Sequence, residues 1–297
     1  MSFANGTKRA LARVDGDKAW TDLMANLALE DQLSALHISS GLSLMTKMIR
    51  ELRENAEKDF GQTIPAASLT MADRVSVSRW GTPVGDMVKR AFANVDLEYT
   101  PIVYYSSFGE PLLYPENSVT AANNEGLCHP YTSSPSCVED ENGNKKLPWQ
   151  SYYLLGYYSH ALEVTTTADT LTAYTMLPYP YVDYHLGAEI RDRKPDDPYY
   201  WEAVRQHLSM PLANFPHRKP NKVLLYGDRV RDDRLNQTLE GVLRAFLGDD
   251  GMPEWVDLGT DPAFAGAMGA AEFALRQPYW DADERQDLTY GEQQVLK

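Results

Sequence analysis

Apolar residues recur three and four positions apart in the first quarter of the chain, which is the spacing of one face of a helix. Lys18 to Glu30 and Leu44 to Phe60 both show this spacing. Serines precede the second stretch and Gly61 follows it, and these are common start and stop signals for a helix. We therefore predict two amphipathic helices whose methionine-rich faces pack into a core.

From residue 73 onward, stretches with strand-like and helix-like patterns alternate along the chain. The predicted strands are Arg74 to Trp80, Tyr99 to Phe108, Thr170 to Leu177 and Lys222 to Tyr226. The predicted helices are Val84 to Val95, Ser118 to Glu125, Tyr199 to Leu208, Leu235 to Leu247 and Pro262 to Arg276. This alternation is typical of an α/β fold.

Residues 151–167, with the sequence SYYLLGYYSHALEVTTT, predict a strand, a tight bend near Gly156 and a second strand. A hairpin of this shape can cradle a phosphate when small residues at its bend let backbone N–H groups approach the anion. Here the bulky side chains of Tyr157, Tyr158 and His160 follow the glycine. We therefore expect the hairpin to line a site for an apolar ligand.

Composition and charge narrow the class of partner. The chain has 297 residues, of which 43% are hydrophobic, so it can bury a sizeable core in one large or two modest domains. Its net charge of −14 argues against binding to nucleic acid or to an anionic membrane, since both attract clustered Lys and Arg. No apolar run reaches the length of a membrane span and the N-terminus has no apolar signal segment, so we expect a cytoplasmic protein.

Motifs for common enzyme classes are missing from the sequence. It contains no Ser-His-Asp order, HExxH motif, metal-spaced Cys/His cluster or dinucleotide fingerprint, which disfavours hydrolase, metalloenzyme and NAD-dependent functions. Cys128 and Cys137 are too few for a disulfide framework or a closed zinc site, and whether they pair stays open. By contrast, 18 tyrosines supply flat apolar surfaces with a polar end, which suit a ligand pocket.

Four segments, in order along the chain, carry a resemblance to a known family. They are GLCHPYTSSPSC at 126–137, YYWEAVR at 199–205, KVLLYGDRVRDD at 222–233 and DPAFAGAMGAAEFALRQPY at 261–279. Together they resemble a filamentous-fungal branch of the actin, sugar-kinase and heat-shock-chaperone ATPase superfamily, over about residues 73–280. The resemblance implies a truncated, ribonuclease-H-like α/β fold of the actin-type ATPase kind at residues 65–297, preceded by an N-terminal helical segment at residues 1–64.

That superfamily holds its nucleotide with two acidic, glycine-containing hairpins and a Gly-Gly turn. The first hairpin should precede the resemblance, but residues 1–64 have the pattern of helices. In the second hairpin Gly156 replaces the carboxylate, and Tyr158, Ser159 and His160 stand at the positions of the glycines. The first hairpin is therefore missing from the place where the family has it. The second lacks the small residues that let the backbone approach a phosphate.

The third nucleotide site is altered as well. Gly227 is kept, but Asp228 and Arg229 replace the second glycine and a small hydroxyl residue, and their side chains would crowd a nucleoside. The resemblance thus implies a degenerate nucleotide site, and we expect no bound cofactor or metal.

Some truncated members of this fungal branch look like norbornene-forming Diels–Alderases of terpenoid biosynthesis. By this analogy the protein is a cofactor-independent pericyclase for a terpenoid or polyketide intermediate of fungal secondary metabolism, with an apolar small molecule as substrate. Such a cyclase folds a flexible substrate into a reactive conformer and donates one hydrogen bond to a carbonyl. The alternatives are a non-catalytic actin-like or chaperone-like binding protein and a protein with residual nucleotide binding, and a homodimer stays open.

The two candidate catalytic residues are His160 and Arg229. His160, at the predicted bend, is a candidate donor to a substrate carbonyl, and its alternative role is that of a structural histidine. Arg229 is a candidate partner for a substrate carboxylate, and its alternatives are ion pairs with Asp228 or Asp232. The candidate substrate-binding residues, each of which could instead serve only the core or the surface, are Trp80, Tyr105, Tyr157, Tyr158 and Asp228.

Overall fold

The computed structural model describes residues 35–70, 83–100, 115–123, 125, 127, 148–167, 181–193, 195–257, 259 and 261–275. The predicted helix at residues 18–30 and the predicted strands at 74–80 and 170–177 lie outside these residues, as does most of the predicted strand at 99–108. Also outside them are Trp80, Tyr105, Cys128 and Cys137.

The described residues form a mixed α/β structure. Its helices are α1 (Ala35–Phe60), α2 (Pro83–Ala93), α3 (Pro115–Ala122), α4 (Ala188–Arg193), α5 (Pro198–Asn214), α6 (Asp233–Leu247) and α7 (265–275). Its strands are β1 (Ala66–Ala67), β2 (Glu98–Tyr99), β3 (Tyr152–Tyr157), β4 (Leu162–Thr166), β5 (Tyr181–Asp183), β6 (Lys222–Tyr226) and β7 (Glu254–Trp255). The α/β class is confirmed. The predicted helices overlap α1, α2, α3, α5, α6 and α7, with ends that differ by up to several residues, and the strand predicted at 222–226 coincides with β6. In this part of the chain no helix has both the length and the apolar character needed to cross a bilayer.

The main sheet has five strands in the order β5-β4-β3-β6-β7. Strands β3, β4 and β5 form an antiparallel meander, and β6 joins β3 in parallel, with β7 parallel to β6. Every residue of β3 and β4 is buried. This burial explains why β3 reads as a nearly continuous run of large apolar and aromatic residues.

Helices cover both faces of this sheet. Successive side chains of a strand point to opposite faces, so Tyr153 and Leu155 pack in one core with residues of α5 and α6. Tyr152 and Leu154 pack in the other core, together with residues of α3, β6 and α7. The sheet is therefore the middle layer of three.

The methionine-rich face of α1 packs into a core, as predicted, and the structure shows that its partner there is α2. Met45 and Ile49 of α1 share a buried cluster with Met87, Val88 and Phe92 of α2. The helix assigned to the N-terminal segment thus contacts a helix assigned to the α/β domain. The division after residue 64 stays a prediction.

The hairpin of β3 and β4 bends later than the sequence pattern predicts. Tyr158 begins the bend, and its backbone N–H donates to the carbonyl oxygen of Ala161 at 2.9 Å. Gly156 lies inside β3, paired with Glu163 on one side and Tyr226 on the other. The glycine is needed there because a Cβ atom would lie 2.7 Å from Cε2 of the Tyr226 ring, which crosses over it. The predicted bend at Gly156 is therefore wrong.

Candidate functional site

The candidate site lies at the carboxyl ends of β3 and β6, where ligands commonly bind in open α/β sheets. These strands are parallel neighbours, with Gly156 opposite Tyr226. The bend at residues 158–161 and the turn at residues 227–231 therefore lie side by side, although about 70 positions separate them in the sequence. This arrangement brings the segment of Tyr158 and His160 next to the segment of Asp228 and Arg229.

Asp228 joins the two segments. Its Oδ1 accepts the backbone N–H of Ser159 at 3.2 Å, and its Oδ2 accepts the Ser159 hydroxyl at 2.7 Å. Ser159 is buried, with 3% of its surface exposed. Both carboxylate oxygens are thus directed to one residue of the bend.

Arg229 extends this cluster towards solvent. Its Nε donates to the Ser159 hydroxyl oxygen at 3.1 Å and lies 3.4 Å from Oδ2 of Asp228. Within the described residues the two terminal nitrogens of Arg229 donate no hydrogen bond, and its side chain is 44% exposed. Asp232, the other carboxylate considered for Arg229, instead pairs with Arg191 and caps α6.

Aromatic rings extend from the bend onto the face of the sheet that α3 and α7 cover. Tyr158 stacks on His160, with ring centroids 5.8 Å apart, and meets the edge of Tyr226 at 6.2 Å. The Tyr226 hydroxyl in turn donates to the buried carboxylate of Glu163 at 2.5 Å. These residues form a continuous path from a buried acid to the partly exposed His160.

Tyr157 lies on the opposite face of the sheet from Tyr158. It is fully buried in the core with α5 and α6, and its hydroxyl lies 3.0 Å from that of Tyr200. Burial, and to a smaller extent this hydrogen bond, raises the pKa of Tyr200 above its usual range. The structure therefore does not bring the side chain of Tyr157 together with those of the other candidates, because adjacent strand residues point to opposite faces.

The turn after β6 keeps its glycine for a steric reason. Gly227 has a φ of +101°, and a Cβ atom there would lie 2.3 Å from the carbonyl oxygen of Tyr157. The backbone N–H of Arg229 donates to the same oxygen at 3.1 Å. The turn is thereby fixed against the end of β3, which sets the position of Asp228 and Arg229.

Three members of the site are absent from the sequence-based candidates: Ser159, Glu163 and Tyr226. A signal for Glu163 exists in the sequence, since a carboxylate between Leu162 and Val164 interrupts a strand-like apolar run. Tyr226 carries no such signal, because an aromatic residue at the end of a buried strand is ordinary.

Two further observations limit the chemistry. Across the described part of the chain, no three His, Cys, Asp or Glu side chains are grouped closely enough to hold a metal ion. No protein-family model matches the chain, and no curated protein is significantly similar to it. These comparisons therefore place the chain in no family.

Proposed function

We propose that the protein is a cofactor-independent cyclase of the Diels–Alderase type, acting on a terpenoid or polyketide intermediate of fungal secondary metabolism. We propose further that its fold is a truncated, ribonuclease-H-like fold of the actin-type ATPase kind. The order and directions of the sheet strands support this fold. An antiparallel meander, β3 to β5, is followed by two strands parallel to its first member, as in a ribonuclease-H-like sheet.

The observation that carries the proposal is the occupation of the phosphate clip by the protein's own groups. The backbone N–H of Ser159 donates to Asp228, and that of Tyr158 donates to Ala161. A phosphate at this bend would have to displace a carboxylate and would meet its negative charge. This geometry favours a ligand without phosphate groups.

The same edge of the sheet offers the groups that a pericyclic reaction needs. Tyr158 and His160 present stacked rings, and Arg229 carries two terminal nitrogens with N–H donors on a side chain that is 44% exposed. In an intramolecular Diels–Alder reaction two π bonds are converted into two carbon–carbon σ bonds and the remaining diene π bond shifts. No atom or electron leaves the substrate, so the protein has only to hold the reactive conformer and donate a hydrogen bond to the dienophile carbonyl.

Comparison of metabolites from strains with and without the gene tests the proposal. We expect the deletion strain to accumulate an uncyclised polyene. The purified protein should convert that polyene to the cyclic product in the presence of EDTA and without nucleotide. An unchanged metabolite profile, or a precursor that the protein binds without converting, would instead favour the non-catalytic binding protein.

A further inference from the structure

We infer that Asp228 determines which head group the site accepts: the ligand presents a neutral carbonyl oxygen to Arg229, and a carboxylate is disfavoured. This inference rests on the proposed function, which assigns the carboxyl edge of the sheet to an apolar substrate. It names the polar group by which that substrate is held. It also replaces the carboxylate that the sequence alone suggested as the partner of Arg229.

The geometry of Arg229 suits an external acceptor. Its Nε is occupied by Ser159, which fixes one edge of the guanidinium plane. Its terminal nitrogens have no acceptor within the described residues, and they lie on a side chain that is 44% exposed. A planar group held at one edge presents its remaining donors in a fixed direction, and a carbonyl oxygen with two lone pairs can accept from them.

The charge of the site argues against an anionic acceptor. Oδ2 of Asp228 lies 3.4 Å from Nε of Arg229, so the two side chains form a pair with no net charge. Asp228 cannot readily turn away, because Ser159 donates to both of its oxygens. Arg191 is itself engaged by Asp192 and Asp232. A ligand carboxylate at Arg229 would therefore meet a fixed negative charge that a neutral carbonyl does not feel.

Asp228→Asn separates charge from shape. The amide oxygen of asparagine can still accept the Ser159 N–H, while the negative charge is lost. The variant should keep the bend in place and leave the Arg229 charge uncompensated. A matched control is Asp233→Asn, which removes the same charge from an exposed position at the start of α6.

The test measures binding of two probes with one polyene tail, retinoic acid and methyl retinoate, by quenching of protein fluorescence. We expect the unmodified protein to bind the ester more tightly than the acid. Asp228→Asn should tighten acid binding by about 3- to 30-fold, the effect of one unit charge several ångströms away at a partly exposed site. In the same Asp228→Asn variant, binding of the ester should change less than about 2-fold. Asp233→Asn should leave the affinity for both probes nearly unchanged. Arg229→Gln alone should weaken binding of the ester. Combined with Asp228→Asn, it should cancel the gain in acid binding.

Three results would overturn the inference. They are tighter binding of the acid than of the ester by the unmodified protein, an acid-to-ester affinity ratio in Asp228→Asn that equals the ratio in the unmodified protein, and no binding of either probe. The experiment measures no turnover. If the head-group preference is found but the metabolite comparison shows no cyclisation, the cyclase proposal fails and the specificity of the site stands. If cyclisation is found but the head-group preference is not, the inference about Asp228 fails and the cyclase proposal stands.

Discussion

Ser159 donates its backbone N–H and its hydroxyl to the two carboxylate oxygens of Asp228, which lies 69 residues later in the chain. The pair ties the bend after β3 to the turn after β6. It also occupies the Ser159 N–H, whereas the terminal nitrogens of Arg229 donate to no acceptor among the described residues. The stability of the bend and the selectivity of the site are thus linked through one carboxylate.

Removal of that carboxylate should destabilise the protein. We expect Asp228→Ala to lower the free energy of unfolding by about 1–2 kcal/mol, because a buried serine loses its acceptor. Ser159→Ala should cost a similar amount, and the double variant should cost clearly less than the sum of the two, since both changes remove one shared interaction. Urea unfolding of the four proteins checks this, and additive losses would show that the two residues are not coupled.

A methyl group at Gly156 should disturb the sheet. The new Cβ would lie 2.7 Å from the Tyr226 ring and would displace the hydroxyl that donates to Glu163. We expect Gly156→Ala to cost about 1–3 kcal/mol, as for other overpacked cores. The matched control is Gly241→Ala on α6, where nothing lies within 4 Å of the added atom and the exposed helix should gain up to about 1 kcal/mol. Equal melting temperatures for the two variants would contradict the role given to Gly156.

Nucleotide should not stabilise the protein. Asp228 already accepts the backbone N–H of Ser159, the donor at the bend that a phosphate would use. We therefore expect ATP with magnesium to leave the melting temperature unchanged. A ligand that binds only the folded state, present at about 100 times its dissociation constant, would add roughly 2.7 kcal/mol to the free energy of unfolding. A magnesium-dependent rise in melting temperature would refute the proposal of a degenerate nucleotide site.

Substitutions at the aromatic stack should separate rate from product choice. We expect His160→Ala to slow cyclisation by about 10- to 1000-fold if its ring donates to the developing charge. Tyr158→Ala should mainly change the distribution of products, because it loosens the conformer that the site selects. Single-turnover assays with product analysis distinguish the two effects. A His160→Ala enzyme of normal rate would leave that histidine a structural role beside Tyr158.

His207 should make stability depend on pH. It is buried on α5, its Nε2 donates to the carbonyl oxygen of Tyr181 at 3.0 Å, and burial lowers its pKa below the usual value. The hydrogen bond and the charge of Asp183 act in the opposite direction but do not cancel the effect. Since the unfolded chain binds the proton more readily, this contribution to stability is complete above about pH 6.5 and is lost as the pH falls.

Urea unfolding at about pH 7.5 and pH 5.5 measures the effect of this titration. His207→Gln should reduce the loss of stability between the two values. The same substitution at the exposed His217 should leave that loss in place. An identical pH dependence in the His207 variant would rule out the buried imidazole as its source.

Local patterns in the sequence determine much of the secondary structure. The run from Lys222 to Tyr226 is apolar and ends at a Gly-Asp turn, and the structure places β6 at those five residues. The helical spacing that predicts 235–247 matches α6 to within two residues. Both predictions rest on interactions between residues a few positions apart, which is why they can be read from the chain alone.

The tertiary structure decides what those elements present to a ligand. Gly156 resembles a turn residue in its local context, but the structure requires a glycine there because the Tyr226 ring packs over it. Tyr226 belongs to the neighbouring parallel strand β6, 70 positions later in the chain. Tyr157 and Tyr158 look equivalent in the sequence, yet the direction of β3 buries one against α5 and leaves the other beside His160. The contact of Ser159 with Asp228 depends on the parallel pairing of β3 with β6, and strand pairing between distant segments is set by the packing of the whole sheet, which no local pattern encodes.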